Sequence, residues 1–236
     1  MFKTLIKEEN NKNRWYPTSV NSLERSILLG SYKERKNFAY SMQYLQYLEL
    51  QFDELNLSEV LFKINIKSYI VTGMGIIEML FKNLLHDTGN WNRTTWIKNN
   101  DYETNSKKKD GKKVKLKIEE FVEVKEYDMR MDFDSMIKKV DSKKLLSIKS
   151  NNFPAVKKLK VLRNKVHLQI NDDKEDHDYN SFDLESLQMM RRILYAVLIT
   201  EEIQNPLGVG KFDFIIEAYN KRINFEKTLK KTPKNV

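Results

Sequence analysis

The sequence predicts an all-α helical bundle that carries one irregular, lysine-rich insertion. Apolar residues recur at three- and four-residue spacing over most of the chain, which is the period of an amphipathic helix. One stretch, Tyr69 to Phe81, is apolar nearly all round and marks a helix that must lie centrally. Only between about 88 and 131 does the helical period fade. At 236 residues and 40% hydrophobic content, the chain is long enough to bury a substantial core and has the composition of a soluble globular protein.

Residues 1–31 form an N-terminal segment, and MFKTLIKEENNKNRWYP has no apolar run long enough for a signal sequence. The central helical domain is expected over 32–204. Its first helix spans about 32 to 54, where Phe38, Met42, Leu45, Leu48 and Phe52 share one face. Ser58 then caps a longer helix running to about 86. The apolar run within it is too short to cross a bilayer and is interrupted by Glu78, so it is read as a core helix and membrane insertion is not expected. From 88 to 131 an insertion follows. Asp110-Gly111 signals a turn between lysine-rich arms, and KVKLKIE alternates as a short β-hairpin would, although Val114, Ile118, Phe121 and Lys125 also suit a helix. Helices resume at about 134–148, at 154–170 with Pro154 at its start, and at 181–204. Residues 205–236 hold a final helix, from about 211 to 230, and a tail.

Charge adds a second constraint. Forty-two Lys and Arg face 33 Asp and Glu, a net charge of +9, and such a surplus favours polyanions such as nucleic acid. The lysines cluster in NSKKKDGKKVKLK and in KKLKVLRNK. Cysteine is absent, which removes disulfides and thiolate chemistry and suits a reducing cytoplasm.

The second lysine cluster runs into KVLRNKVHLQI, residues 160–170. At roughly 100° per residue, Val156, Leu159, Leu162, Val166 and Ile170 form one stripe, with Arg163 and His167 together at its edge, about 40° apart. A groove or a subunit seam would place functional side chains at such an edge. A boundary histidine and an arginine satisfied by nearby carboxylates would look the same. Glu78 sharpens the choice, because it is the only acid in YIVTGMGIIEMLFKNLL, and a buried carboxylate needs hydrogen bonds or a cation. Glu78 is therefore expected within reach of Arg163 or His167, on a neighbouring helix.

These residues resemble those of the HEPN domains (higher eukaryotes and prokaryotes nucleotide-binding). Ribonuclease members of that family carry an Arg, a polar residue and then a His on a late helix, often with an acid on an earlier apolar helix. LRNKVH supplies Arg163, Asn164 and His167, GIIEMLFKNLL supplies Glu78, and YNSFDLESLQMMRRILYAVL resembles the closing helix. The resemblance covers about 58–204. The three-residue spacer between Arg163 and His167 is shorter than is usual for the family, although an i,i+4 pair still shares a helix face.

The resemblance implies a metal-independent endoribonuclease acting on single-stranded RNA, without a cofactor, as a prokaryotic toxin or in phage defence. His167 would serve as the acid or base near neutral pH, and Arg163 would hold the phosphoryl oxygens with its forked guanidinium. Asn164 would position water, phosphate or the imidazole, and Glu78 would orient the cation or the ring. One histidine per chain does not readily serve as both acid and base. The family's solution is a homodimer whose two motifs face one cleft, with the seam along the helix of residues 154–170. Lys157, Lys160 and Lys165 beside the motif, and Lys112, Lys113 and Lys115 in the insertion, are the expected RNA contacts. An antitoxin or another defence-system protein is a further expected partner. The alternative is a catalytically inactive HEPN-like module that binds RNA, a nucleotide or a partner protein; a helical DNA-binding or scaffold protein is a third reading. His86 reads as a helix-end residue, NDDKEDHD with His177 as an acidic linker, and GVGK at 208–211 as a turn.

Overall fold

The computed structural model describes residues 15–104, 107–165 and 181–231. Seven α-helices lie among them: α1 (Val20–Glu24), α2 (Tyr32–Glu54), α3 (Glu59–Asp87), α4 (Phe133–Ser142), α5 (Phe153–Asn164), α6 (Leu184–Leu198) and α7 (Asp213–Lys231). Strands β1 (Arg93–Glu103), β2 (Lys107–Lys109), β3 (Lys112–Val114) and β4 (Lys117–Asp128) fall between α3 and α4.

Short polar side chains set where the helices begin. Ser31 and Glu34 form a reciprocal capping box at α2, Ser58 caps α3, Asp132 caps α4, and Asp183 with Ser186 closes a second box at α6. Each satisfies amide donors that the first turn leaves without an intrahelical acceptor. The expected helices over 32–54 and 58–86 coincide with α2 and α3.

α3 is the axis of the fold. Ile66, Tyr69, Ile70, Met74, Ile77, Leu80, Phe81 and Leu85 on it are fully buried, and α2, α4, α5 and α6 all pack against it. At 29 residues it has the expected length, and among the described helices it alone has the length and apolar composition of a membrane span. The helices around it account for that composition, because its inner residues meet protein on several sides. The ends of the described chain join the same core: Leu23, Ile27 and Leu29 before α2, and Phe212 and Ile215 around the start of α7, are all buried. Phe212 meets Phe38 edge to face with ring centroids 6.1 Å apart.

Three helices stop earlier than their periodicity predicts. α4 ends at Ser142 rather than near 148, because Lys144 turns left-handed at φ 52°. The Leu145 amide then donates back to Val140 O and the Lys144 amide to Asp141 O, the double closure that satisfies the final carbonyls of a helix. α6 starts at Leu184 and ends at Leu198, where the Thr200 hydroxyl takes the Val197 carbonyl at 2.9 Å and the chain turns toward the bridge between Ile27 and Gln204. α5 ends at Asn164, not at 170. Residues 166–180, which include Val166, His167, Ile170 and His177, lie outside the described residues.

The insertion forms a longer ribbon than the expected short hairpin. β1 pairs antiparallel with β4 over almost its whole length, and β2 with β3 forms the tip. Asp110 and Gly111 both take positive φ at the turn, as a two-residue hairpin connection requires. The helical alternative for 114–125 is excluded by β4. At the base, the Trp91 indole donates to Met129 O at 3.0 Å and His86 stacks on Trp91 with ring centroids 4.2 Å apart. His86 thus closes α3 as expected and also anchors the ribbon.

GVGK is a turn, as read, and its first glycine is required there. A Cβ on Gly208 would sit 2.3 Å from the Ser26 carbonyl oxygen. Gly208→Ala is expected to cost about 1–3 kcal/mol through forced backbone displacement. Lys144→Gly should instead add about 0.5–1 kcal/mol by relieving the left-handed conformation. Urea unfolding of the two variants, followed by circular dichroism, checks both signs.

Candidate functional site

Arg163 occupies the last turn of α5, where a cation complements the exposed carbonyl end of the helix. Its Nη1 lies 2.6 Å from Glu78 Oε2 on α3. Its guanidinium also sits over the Phe133 ring of α4, 5.7 Å from the centroid, and Phe133 meets Phe81 of α3 edge to face. Three helices therefore fix one arginine. The expected approach of Glu78 to Arg163 is present, with one difference: Glu78 is not deeply buried. Both side chains keep about 30% of their surface, 31% for Glu78 and 29% for Arg163.

Asn164 is exposed beside Arg163, while His167 lies among the residues not described. The lysines divide into two groups. Lys157, Lys112 and Lys113 are exposed. Lys160 is engaged 2.7 Å from Asp134 at the start of α4, Lys165 reaches the Ser181 hydroxyl, and Lys115 pairs with Glu103 across the ribbon. Hydrogen bonds from Lys138 and then Lys160 hold the Asp134 carboxyl down to about 2. That contact links α4 to α5 above the ordinary carboxylate range and is lost as pH falls through about 2.

A second cluster was not singled out by sequence reasoning. Arg191 on α6 donates from Nε to Glu49 Oε1 on α2 at 2.8 Å, and its Nη2 takes the other carboxylate oxygen. The side chains are only 6% and 10% exposed. The guanidinium lies over the rings of Phe52 and Tyr69. Burial pushes the Glu49 carboxyl above its ordinary value against the pull of Arg191, and pushes the Tyr69 phenol well above its own. The pair forms part of the wall of a cavity of about 760 Å³, within the usual range for small-molecule sites. Trp15, Phe62 and Phe214 supply apolar walls, and Lys221 and Glu217 supply charge. A signal for this cluster did exist: Glu49 follows Leu45 by four residues and lies on the apolar side of α2.

No protein-family model, curated protein or solved structure matches the chain.

The two ion pairs differ in what their loss should cost. Glu49→Ala leaves a buried guanidinium without its partner and should destabilise by about 3–5 kcal/mol. Glu78→Gln opens a pair already wet and should cost about 1 kcal/mol or less. Chemical denaturation midpoints of both variants measure the contrast.

Proposed function

We propose that the chain is a HEPN-type endoribonuclease that cleaves single-stranded RNA without a metal ion, acting as a homodimer in phage defence or as a toxin. The observation that carries this reading is the Glu78–Arg163 pair, which puts a forked, permanently charged donor at the end of α5 against an acid from the apolar helix. Arg163 would bind the phosphoryl oxygens as they gain charge. Asn164, the next residue, would hold water or a phosphate oxygen.

The reaction uses the substrate's own nucleophile. The ribose 2′-oxygen attacks phosphorus and gives its proton to a base, the P–O5′ bond breaks, and an acid protonates the departing 5′-oxygen. His167 is the group suited to one of these transfers near neutral pH, and the copy in a second chain, across a seam along α5, would supply the other. The products are a 2′,3′-cyclic phosphate and a 5′-hydroxyl end.

One observation favours a second reading. Glu78 and the Phe133 ring already hold Arg163, which suits a catalytically silent module that binds RNA, a nucleotide or a partner protein. RNA binding that survives the joint loss of Arg163 and His167, with no cleavage by the unaltered protein, would favour it.

The test is incubation with mixed single-stranded RNA. His167→Ala and Arg163→Ala should each lower the cleavage rate by about a hundredfold or more, with the circular dichroism spectrum unchanged. A substrate carrying 2′-deoxyribose at the scissile position should resist cleavage, and chelator should have no effect. Cutting of the deoxy substrate at the RNA rate, or loss of activity on chelation, overturns the mechanism.

A further inference from the structure

Positive charge is unevenly distributed along the chain. From Asp132, the N-cap of α4, to Lys165, the C-cap of α5, ten Lys and Arg face three Asp, a surplus of seven out of the net +9. The ribbon, residues 93–128, also has ten Lys and Arg, but it has eight carboxylates. Within it Lys98 pairs with Glu119, Lys115 with Glu103 and Lys117 with Asp101. One helical hairpin, α4 with α5, thus carries most of the surplus, and a surplus concentrated on one surface attracts a polyanion more strongly than the same charge dispersed.

The fold brings these charges up to Arg163. Lys160 of α5 reaches Asp134 of α4, and Arg163, one turn further on, lies over Phe133, so the two helices run antiparallel with the end of α5 beside the start of α4. Asp134 also takes Lys138 at 2.6 Å, and one carboxylate does not neutralise two ammonium groups. Lys160 is only 19% exposed and serves the contact between the helices, whereas Lys138 is 67% exposed. Lys157, one turn before Lys160, is exposed too, as are Lys143 and Lys144 at the end of α4 and Lys149 in the connection. Among the described residues no carboxylate pairs with Lys143, Lys144, Lys149 or Lys157.

We propose that the α4–α5 hairpin holds a single strand of RNA by its phosphates, the strand running from Arg163 past Lys138 and Lys157 toward Lys143 and Lys144. This rests on the reading of Arg163 as the group that binds the scissile phosphate. The substrate class is then an extended oligonucleotide: α5 has 12 residues and is about 18 Å long at the rise of an α-helix, enough to meet several consecutive phosphates. Each lysine that neutralises a phosphate releases bound counterions, which drives association and makes it sensitive to salt. Such contacts fix the position of the strand and carry no sequence information. The hairpin sets how tightly the RNA is held, and Arg163, Asn164 and His167 act on the phosphate delivered to them.

The test is binding of a fluorescein-labelled single-stranded oligouridylate to the full chain, followed by anisotropy over a salt series and carried out in the His167→Ala background so that no strand is cut. Lys138→Gln with Lys157→Gln should weaken binding by roughly tenfold and reduce the slope of log affinity against log salt by about 1–1.5, the share of two phosphate contacts on a single strand. Lys143→Gln with Lys144→Gln should do the same. All four positions are exposed, so the fold persists, which circular dichroism checks. With His167 in place, the same substitutions should raise the KM for RNA cleavage and leave kcat unchanged. Binding that keeps its affinity and slope in both double variants overturns the inference, as does binding lost only on Lys112→Gln with Lys113→Gln in the ribbon. A single strand bound no better than duplex DNA also overturns it. If the unaltered chain binds RNA through these lysines and cuts nothing, the phosphate track stands and the nuclease reading falls. If it cuts RNA with a KM that neither double variant moves, the nuclease reading stands and the track falls.

Discussion

The fold depends on the burial of α3. From Ile66 onward α3 is apolar on most sides, so other helices pack on it, and α2, α4, α5 and α6 each bring one apolar stripe to do so. Fully burying a Leu, Ile or Phe contributes about 1.5–3 kcal/mol, and α3 alone buries many such side chains. The positions of α2, α4, α5 and α6 are set by the need to cover this one. Glu78 is a half-buried position on this helix, within reach of Arg163 on α5, so the candidate site is located by the same packing that builds the core.

The sequence displayed α2 and α3 clearly, because their period is long and their caps, Ser31 and Ser58, stand at the right distance before the first apolar residue. It was less legible where one residue decides. Lys144 ends α4 in a conformation usually left to glycine, and nothing in DSKKLLSI announces it. The ribbon was under-read for a different reason. Both of its faces meet solvent, so charged and apolar residues mix along it and period-2 alternation blurs. Glu78 was read as more buried than it is, since the apolarity of α3 does not reveal how fully each of its positions is covered. The pair of Glu49 and Arg191 joins residues 142 apart in sequence, and such a partnership is a product of the tertiary fold. Each charge was still visible as an exception on an apolar face.

The two arginine–carboxylate pairs illustrate how burial sorts similar chemistry into different roles. Arg191 makes a two-point contact with Glu49 in a nearly dry setting, flanked by Phe52 and Tyr69. Removing either partner strands a charge, so the pair is fixed by the cost of opening it. It pins α2 to α6 and shapes the wall of the cavity.

Arg163 and Glu78 are the opposite case. Water reaches both, so solvent offsets most of what the contact contributes. Their separation is therefore inexpensive. Glu78 engages one end of a guanidinium that has five N–H donors, and the remaining donors are directed by the Phe133 ring and the end of α5. A phosphate arriving at that end carries more charge than a carboxylate and matches the guanidinium fork as well. It can displace Glu78 at small cost, and the carboxylate released is then near enough to orient a neighbouring group. A buried pair could not make that exchange. The weakness of the Glu78–Arg163 contact is thus what the proposed exchange for a phosphate requires, whereas the strength of the Glu49–Arg191 contact fits that pair to hold the bundle.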